Sequence, residues 1–408
     1  MKNILFISYD GLTDPLGQSQ VIPYLSGLTK YGYRFTILSC EKPERYSLHK
    51  KEIESLLEQF SITWVPLKYH KAPTVFSTVY DVYHLRKKVK KLHAKEKFDM
   101  VHTRAGIPAL VGLWLKKNYA VKFLNDIREF YADSRIEGGM WDTDKFFYKK
   151  IYLFFQQKEK EETLLSDGIV CLTKAAENII INWPEYNKEI PLQVIPCSAD
   201  ISLFDPEKID NSQKIILKNE LKIKDEDCII TYLGSIGSWY LIEEMMQFFK
   251  IISDKIPNAK FLFISPSEHE VIIAKAKKFG LSPNKLIIKQ AKRNDVPALL
   301  SLSKFSVFFI KSCYSKQSSS PTKHGEIMAM GIPVITNSGV GDVAEIVQKY
   351  HSGIVLKELN ESEFQQTAEL ICKENSFDKA EIRKGAEEFY NLDRAIEKYH
   401  EIYKQILA

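Results

Sequence analysis

The chain has 408 residues, of which 45% are hydrophobic, 12% aromatic and 27% charged. These fractions are those of a folded globular protein and exclude a largely disordered, collagen-like or low-complexity chain. The length favours two domains, because one core rarely grows beyond about 250–300 residues. The formal net charge of +5 is too small to indicate a nucleic-acid-binding protein.

The N-terminal segment and the cysteines bear on the cellular compartment. Residues 4–8 form an apolar run that ends at Tyr9-Asp10-Gly11, which is too short for a secretory signal and is typical of a buried first strand. No stretch reaches the roughly 18 apolar residues of a membrane-spanning helix. The six cysteines include no C-x-x-C pair. We therefore expect a cytoplasmic protein without a structural metal.

The first part of the chain has the order strand, loop, helix, strand. Residues 4–8 are the first strand, and residues 10–17 are a loop with two glycines. A helix is predicted to begin near Gln20, with Pro23 in or near its first turn. Gly32 is expected to end this helix before a strand at 35–39.

The same order recurs in the second half. Residues 228–233 are a continuous apolar run, followed by a turn at 234–238, a helix with apolar residues at 241, 245, 248 and 252, and a strand at 261–264. Strands that alternate with helices predict parallel βαβ units, and two such starts predict two doubly wound domains. Further buried strands are predicted at 100–102, 123–124, 169–172, 194–195, 286–288, 307–310 and 334–336.

Residues 318–336 (SSSPTKHGEIMAMGIPVIT) are the most informative segment. Ser320 is a suitable N-cap, Pro321 fits the first helical position and Gly331 fits the C-terminal stop, so a short helix is predicted. Its N-terminus would lie at the carboxyl ends of the strands, where open α/β sheets bind ligands. Free backbone N–H groups, the helix dipole and the charge of Lys323 favour an anion there.

Glu326 lies one turn into this helix, next to Gly325, which has no side chain to obstruct a ligand. A carboxylate that faced a phosphate would repel it, whereas one that accepts hydrogen bonds from ribose hydroxyls would not. The alternative is a surface glutamate that stabilises the first turns of the helix.

A further glycine turn at 338–342 either brings backbone N–H groups to a diphosphate or simply joins a strand to a helix. The P-loop motif and the G-x-G-x-x-G motif are both absent. Nucleoside triphosphatase and dinucleotide oxidoreductase functions therefore have little support.

Segments along nearly the whole chain resemble the GT-B glycosyltransferases called group 1 or family 4. They are 17–20 (GQSQ), 98–102 (FDMVH), 166–173 (SDGIVCLT), 194–200 (VIPCSAD) and 326–333 (EIMAMGIP). The resemblance implies an α/β GT-B fold, with two Rossmann-like doubly wound domains that face a cleft. Residues 1–198 and a C-terminal helix at 391–408 would bind the acceptor, and residues 199–390 would bind the nucleotide-sugar.

The resemblance also implies that Glu326 holds the ribose of the donor. The donor-binding residues that we assign with it are Gly17, Gly234, Ser235, Gly237, Arg293, Ser318, Ser320, Pro321, Thr322, Lys323, Gly325, Gly341 and Asp342. The donor is a substrate, so no cofactor is expected.

Two regions depart from the family pattern. Ser318 stands where the family has the first of its paired glutamates, and Ser235, Gly237 and Trp239 fill the region of its usual Arg and Lys. Lys323 and Arg293 are therefore the candidates to meet the diphosphate charge. The alternative for Arg293 is a solvated charge at a helix start.

Arg104, Asp126 and Arg128 follow two neighbouring strands and, with Glu326, are the candidate catalytic residues. The resemblance puts Arg104 where the family often has a histidine near the sugar. Each arginine is alternatively half of a structural ion pair. We assign no general base, because retaining transfer can proceed with a positioned acceptor hydroxyl and the departing phosphate oxygen.

Two D-x-D strings, at 142–144 and 225–227, match the pattern with which GT-A glycosyltransferases hold a divalent cation. Such strings are common by chance, so no metal site is expected.

Two segments raise the question of a membrane. The segment 82–97 has a stripe of Val82, Leu85, Val89 and Leu92 beside several basic residues. Either it lies on an anionic membrane, at the inner face of the cell membrane, or the stripe packs on the core. The aromatic and lysine cluster at 146–155 has the same two interpretations.

The leading hypothesis is a retaining glycosyltransferase that moves a hexose-type sugar from a nucleotide-diphosphate donor to a glycan or lipid-linked acceptor in surface polysaccharide or glycoconjugate biosynthesis. Nucleic acid is not expected as a partner. The alternatives are a GT-B-like nucleotide-sugar 2-epimerase and a non-catalytic two-lobed sugar-binding protein. The latter is disfavoured because such proteins are exported and no secretory signal is seen.

Overall fold

The computed structural model describes residues 1–266, 269–373 and 377–408. The chain divides into two compact units, Met1–Pro196 with Leu392–Ala408, and Cys197–Asn391. The domain bounds expected from the sequence differ from these by one or two residues at each junction.

The first unit is built on a parallel sheet. Its strands are β1 (Lys2–Ser8), β2 (Tyr33–Glu41), β3 (Thr63–Lys68), β4 (Met100–Arg104), β5 (Lys122–Ile127), β6 (Gly168–Cys171) and β7 (Leu192–Val194). They form one seven-stranded sheet in the order β3-β2-β1-β4-β5-β6-β7. The central strand β1 is buried from Ile4 to Ser8 because helices cover both faces of the sheet, which explains its continuous apolar run.

The helices of the first unit cover these two faces. They are α1 (Pro15–Gln20), α2 (Ile22–Thr29), α3 (Pro43–Glu58), α4 (Thr74–Glu96), α5 (Gly106–Tyr119), α6 (Tyr131–Glu137), α7 (Phe146–Leu165) and α8 (Lys174–Ile180). The two-residue period of β1 sends Ile4 and Phe6 to a core that contains α2, and Leu5 and Ile7 to a core that contains α4 and α5.

The second unit has the same plan. Its strands are β8 (Cys228–Leu233), β9 (Ala259–Ile264), β10 (Leu286–Lys289), β11 (Phe305–Phe308), β12 (Val334–Asn337) and β13 (Gly353–Leu356). They form a six-stranded parallel sheet in the order β10-β9-β8-β11-β12-β13. Its helices are α9 (Asn211–Glu220), α10 (Ile242–Lys255), α11 (His269–Lys278), α12 (Val296–Leu300), α13 (Thr322–Ala329), α14 (Val343–Lys349), α15 (Glu361–Lys373) and α16 (Lys379–Phe389).

Short 3₁₀ turns occupy some of the connections in the second unit. They are Pro206–Lys208, Pro283–Lys285, Arg293–Asp295 and Tyr314–Ser318.

The last helix, α17 (Leu392–Leu407), belongs to the first unit. Its apolar face includes Ile396, Tyr399 and Tyr403, which lie in the same core as Leu25 and Leu28 of α2. The C-terminus of the chain therefore completes one face of the first sheet.

Two Rossmann-like parallel sheets confirm the predicted fold class. The predicted strands fall on observed strands, whereas β3 and β13, at the sheet edges, carry only half-buried patterns and were not predicted. The helix predicted to begin near Gln20 is α2, which begins at Ile22 with Pro23 in its first turn. The preceding helix α1 was not predicted, since residues 10–17 were expected to form a loop. α1 begins at Pro15, just after Leu12 and Thr13, whose backbone N–H groups donate to the carboxylate of Glu41.

Candidate functional site

The short helix predicted within 318–336 is α13, and its N-cap residue is Pro321. The prediction of Ser320 as N-cap and Pro321 as first helical residue was wrong by one position. Pro321 is still extended, with ψ of 117°, and the Ser320 hydroxyl instead accepts a hydrogen bond from the Cys197 N–H over 3.2 Å. Gly331 adopts a left-handed φ of 67° just after the helix, as expected for a stop signal.

Lys323 carries a buried positive charge in the first turn of α13, and its residue is 7% exposed. Its ammonium lies 3.8 Å from the ring centre of Tyr240 and 4.2 Å from that of Tyr232, whose hydroxyl accepts a hydrogen bond from Nζ over 3.2 Å. It forms no ion pair with a carboxylate in the described part of the chain. Burial lowers the pKa of this ammonium well below its ordinary value. A cation held in this way is suited to an anionic ligand.

Glu326, one turn further along α13, is 7% exposed. Its Oε1 accepts a hydrogen bond from the Arg293 guanidinium over 2.8 Å, while Oε2 accepts none from the described residues. Burial raises the pKa of this carboxyl, and the charge of Arg293 opposes the rise. One carboxylate oxygen therefore remains for a ligand. The contact of Arg293 with a diphosphate stays a prediction, and in this structure the arginine is engaged with Glu326.

The turn after β8 approaches the lysine closely. Gly234 has a φ of 122°, and a Cβ at this position would lie 2.8 Å from Nζ of Lys323. The Tyr232 hydroxyl donates to the carbonyl oxygen of Ser235 over 2.8 Å, and Ser235 and Gly237 are exposed. The glycine is thus required both by the backbone conformation and by the neighbouring ammonium.

A second buried cation at this edge of the sheet was missed by the sequence reasoning. Lys316 is 8% exposed, and its ammonium lies 3.6 Å from the ring centre of Trp239. The sequence held a weak indication that Lys316 belongs to this site. Lys316 lies two residues before Ser318, and Trp239, which its ammonium contacts, fills the turn where the family has basic residues. Tyr232 and Tyr240 were missed because aromatic residues near a strand are usually core residues.

Ser318 and Gly325, which were also predicted to bind the donor, have packing or capping roles here. The Ser318 hydroxyl donates to the carbonyl oxygen of Ser315 over 2.7 Å. A Cβ at Gly325 would lie 2.8 Å from Cγ of Tyr390, so this glycine makes room for a tyrosine rather than clearing a path for a ligand.

At the turn after β12, the Gly341 N–H donates to the Lys316 carbonyl oxygen over 2.9 Å. Asp342 is the N-cap residue of α14, and Thr322 is the half-buried first residue of α13. In this structure the Gly341 N–H is therefore engaged within the turn.

The three candidate catalytic residues of the first unit belong to a buried polar cluster. Asp126 accepts hydrogen bonds from the Tyr399 hydroxyl over 2.8 Å and from the Arg128 guanidinium over 3.4 Å, and its Oδ2 lies 3.3 Å from Nε2 of His102. The other ring nitrogen of His102 lies 2.7 Å from the Tyr403 hydroxyl. The tyrosines on α17 were not predicted, since nothing local in the sequence links them to residues 102–128.

Asp126 and His102 of this cluster differ in their preferred charge state. Burial raises the pKa of Asp126, but the charge of Arg128 and the hydrogen bond to His102 outweigh it and bring the value to about 2. Burial lowers the pKa of His102. An ionised aspartate and a neutral histidine are therefore expected near neutral pH.

Arg104 lies on the same side of the sheet and donates a hydrogen bond to Asp10 over 2.8 Å. Its buried Nε has no hydrogen-bond partner among the described residues. Together with His102, Asp126, Tyr399 and Gln20, Arg104 lines a small hollow. Gly17, predicted as a donor-binding residue, lies in α1, where a Cβ would overlap the backbone of Gly11 and Leu12.

The D-x-D strings form surface turns with ion pairs. Asp142 lies 3.4 Å from Lys145, Asp225 lies 2.8 Å from Lys218, and Asp227 pairs with Lys260. In the described ranges, no three His, Cys, Asp or Glu side chains are grouped so that they could hold a metal ion.

The two segments considered for membrane contact differ in what they expose. None of the described helices is long and apolar enough to cross a bilayer. The stripe predicted within 82–97 packs on the core of the first unit, with Leu85 and Val89 fully buried, so it is not available to a membrane. The exposed apolar side chains of α4 lie before this stripe or beside it, and they are Phe76, Val79, Tyr80 and Tyr83. Those of α7 lie within the cluster at 146–155, and they are Phe146, Phe147, Leu153 and Phe154.

Comparison with protein families assigns the unit that contains Lys323 and Glu326. Residues 213–388 match the family model described as glycosyl transferases group 1, and this span lies inside Cys197–Asn391. The second unit is a group 1 glycosyltransferase domain. No curated protein matches the chain in sequence.

Solved structures extend the likeness from the group 1 glycosyltransferase domain to both units. A sucrose-phosphate synthase from Thermosynechococcus elongatus is 14% identical with a TM-score of 0.75, covering 99% of each chain. A glycosyltransferase from Rickettsia africae is 17% identical with a TM-score of 0.72, covering 100% of this chain and 98% of that one. Anabaena HepE in complex with UDP-glucose is 12% identical with a TM-score of 0.70, covering 99% and 100%. At these identities the likeness is one of fold, and the fold is GT-B.

Proposed function

We propose that this protein transfers a hexose-type sugar, with retention of the anomeric configuration, from a nucleotide-diphosphate donor bound by the second unit. The acceptor is a glycan or a lipid-linked saccharide bound by the first unit, and the product contributes to a surface polysaccharide or glycoconjugate. The donor is a substrate, and the reaction needs neither a cofactor nor a metal.

The observation that carries this proposal is the buried ammonium of Lys323. A buried cation that forms no ion pair costs free energy, which an anionic ligand would recover. The diphosphate of a nucleotide-sugar supplies that charge at the N-terminal turn of α13, where backbone N–H groups also favour an anion. Lys316, with its ammonium 3.6 Å from the ring centre of Trp239, is a second cation for the same anion.

Glu326 and Arg293 form the other half of the proposed donor site. Because Arg293 holds Oε1 of Glu326, the carboxylate keeps a fixed orientation with Oε2 open to a ribose hydroxyl. The same pairing reduces the repulsion between this carboxylate and a diphosphate. UDP-glucose, which HepE binds in the solved complex, is the first donor to test.

In the first unit, Arg104 and Arg128 are proposed to position the acceptor at the hollow lined by Asp126 and His102. Asp126 fixes Arg128 and Tyr399 as an ionised carboxylate rather than acting as a base, since its pKa of about 2 makes it a weak proton acceptor. The departing phosphate oxygen takes the proton of the acceptor hydroxyl.

We further propose that the aromatic surface of α4 and α7 rests on an anionic lipid membrane. Val82 of α4 and Ile151 of α7 pack in one apolar cluster, so the outer side chains of the two helices flank the same surface. Phe76 and Phe146 are 70% and 75% exposed, and lysines 149 and 150 beside them are exposed as well. Exposed aromatic rings beside lysines suit an anionic bilayer surface, which would also present a lipid-linked acceptor.

The test uses the full-length protein and a panel of UDP-, GDP- and ADP-hexoses, beginning with UDP-glucose. Free nucleoside diphosphate is measured with and without a membrane extract that supplies acceptors, and the anomeric configuration of the product is read by NMR. Release that depends on the extract, retains configuration and is unchanged by a saturating chelator is expected. Recovery of a C2-epimerised nucleotide-sugar without release would instead identify an epimerase.

A matched pair of variants links the activity to the site. Glu326→Gln is expected to lower donor turnover at least tenfold, whereas Glu345→Gln, on an exposed position of α14, is expected to leave it unchanged. Equal turnover in both variants would remove Glu326 from the donor site.

A further inference from the structure

A second hollow lies on the other face of the first sheet. Successive residues of a strand point to opposite faces, so β5 directs Asp126 to the polar cluster and Asn125 and Ile127 to the opposite side. There they line a small hollow, which Trp183 and the α7 residues Glu159 and Glu162 also line. This hollow is separate from the candidate donor site, which lies in the second unit.

The three carboxyl groups that line this hollow differ in their hydrogen-bond and ion-pair partners. Glu129, at its rim, is paired with Arg135 over 3.0 Å. Oε1 of Glu159 accepts hydrogen bonds from the backbone N–H groups of Tyr131 over 2.7 Å and of Ala132 over 3.4 Å. Glu162 is different, because it is 3% exposed and its Oε1 has no partner among the described residues.

Asn125 adds a polar side chain to the hollow, and the residue is 4% exposed. Buried polar groups in folded proteins nearly always have partners, so the open Oε1 of Glu162 at this hollow indicates a missing ligand.

The charged groups around the hollow indicate that this ligand is positively charged. Glu159 and Glu162 have no cation within ion-pair distance in the described structure, whereas Glu129 has Arg135. Burial raises the pKa of Glu162 well above its ordinary value, and burial, with the nearby Asp133 and Glu129, raises that of Glu159 to about 8. A cation that entered the hollow would let both groups ionise, and an N–H-bearing cation would donate hydrogen bonds to them.

We propose that this hollow binds a primary ammonium group, which donates its N–H bonds to Glu162, Glu159 and the amide oxygen of Asn125. The ring of Trp183, which lines the same hollow, offers a π surface to the cation. A divalent metal ion fits less well, because no metal-binding group of His, Cys, Asp or Glu occurs among the described residues and Oε1 of Glu159 already accepts two N–H groups. The site would exist whether or not the protein transfers a sugar.

The experiment measures the thermal unfolding of the full-length protein with methylammonium chloride. Tetramethylammonium chloride carries the same charge without N–H donors, and potassium chloride controls for ionic strength. Methylammonium at about ten times its Kd is expected to raise Tm by about 2–4 °C, while the two control salts leave it unchanged. Equal shifts with all three salts would overturn the proposal.

Variants test whether the shift arises in this hollow. Glu162→Gln keeps the shape of the side chain and is expected to abolish the methylammonium shift, as is Asn125→Leu, which removes another acceptor. Glu161→Gln removes the same charge at the adjacent position, where the side chain pairs with Lys117 and Lys158, and is expected to retain the shift. A full shift in both Glu162→Gln and Asn125→Leu would place the binding elsewhere.

Discussion

The guanidinium of Arg293 donates a hydrogen bond to the carboxylate of Glu326 over 2.8 Å, and thereby joins the turn before α12 to the short helix α13. Arg293 is a third exposed, whereas Glu326 is buried, so the arginine is the partner that solvent can reach. The pair gives the buried carboxylate a cation while no ligand is bound.

Removal of this arginine is therefore expected to destabilise the second unit. In Arg293→Leu, the buried carboxylate of Glu326 loses its cation, and the free energy of unfolding is expected to fall by about 1–3 kcal/mol. Urea unfolding at pH 7 measures the change. The double variant Arg293→Leu/Glu326→Leu is expected to recover part of the loss, because the carboxylate that Arg293 neutralised is also removed. A strictly additive double variant would contradict the proposed coupling.

Replacement of Lys323 by methionine is expected to change activity and stability in opposite directions. The variant keeps the apolar stem against Tyr232 and Tyr240 but removes a buried ammonium that has no carboxylate partner, so Tm without donor is expected to rise. Donor turnover, as kcat/KM, is expected to fall about 100-fold because the proposed diphosphate contact is lost. Lys304→Met, at an exposed position of the same unit, serves as the control and should change neither quantity.

The sign of the pH dependence at Lys323 follows from burial, which lowers the pKa of its ammonium. The unfolded chain then binds more protons than the folded protein at pH values between the folded pKa and about 10.4, so the free energy of unfolding rises with pH in that range. In Lys323→Met this contribution should be absent. An unchanged pH slope would indicate that the ammonium is solvated.

The sequence predicted the fold and the short helix that carries Lys323 and Glu326, because these depend on local pattern. Continuous apolar runs predict buried parallel strands, and Pro321, Lys323 and Gly331 delimit a helix whose start favours an anion. The cation–π contacts of Lys323 could not be predicted, since Tyr232 lies 91 residues away and only the sheet brings the two together.

The acidic hollow was missed for a different reason. Glu159 and Glu162 lie in a run of alternating charges, QQKEKEE, which as a pattern is typical of a solvated helix face. Tertiary packing buries Glu162 while Glu161, the next residue, remains in ion pairs with lysines. A pattern of residue types cannot separate these two glutamates, because the difference is in what packs against them.

Glu162 also allows a pH prediction. Its pKa is raised by burial and by Glu159, and that of Glu159 is raised to about 8 by burial. Because their pKa values are raised, these carboxyl groups bind more protons in the folded protein than in the unfolded chain above about pH 4.5. Their contribution to the free energy of unfolding is therefore fully present below that pH and is lost as pH rises through about 8.

The neutral variant Glu162→Gln should reduce this loss. Its free energy of unfolding at pH 9 is expected to exceed that of the wild type by about 1–3 kcal/mol, with little difference at pH 5. Chemical denaturation across pH 5–9 measures it, with Glu161→Gln as the matched control. If Glu162→Gln lowered stability at pH 9, the carboxylate would have a cation partner after all.

Tyr399 is expected to support the ionised state of Asp126. Tyr399→Phe removes a hydrogen bond to a buried carboxylate, and the free energy of unfolding is expected to fall by about 1–2 kcal/mol. The pKa of Asp126, about 2, lies below its ordinary value of 3.8, so this carboxylate stabilises the fold above about pH 4 and the contribution is lost as pH falls through 2.

In Tyr399→Phe the loss of stability on acidification should begin at a higher pH than in the wild type. Circular dichroism during acid titration gives the midpoint. Tyr83→Phe, at an exposed position of α4, is the control and should leave the midpoint unchanged. A midpoint that did not move in Tyr399→Phe would show that the hydroxyl does not stabilise the carboxylate.

The proposed membrane surface predicts a dependence on exposed phenylalanines rather than on the buried stripe of α4. Burial of a phenylalanine side chain in an apolar environment contributes about 1.5–3 kcal/mol, so Phe146→Ser/Phe147→Ser is expected to weaken binding to vesicles of mixed phosphatidylcholine and phosphatidylglycerol at least tenfold. Ile215→Ser/Ile216→Ser is the matched control, because these side chains are 59% and 64% exposed on α9 of the second unit.

Cosedimentation at low and high salt measures binding, and pure phosphatidylcholine vesicles should bind weakly because the lysines then lack anionic partners. Equal binding of the two double variants would show that α7 does not contact the lipid, and equal binding to both kinds of vesicle would show that the lysines do not.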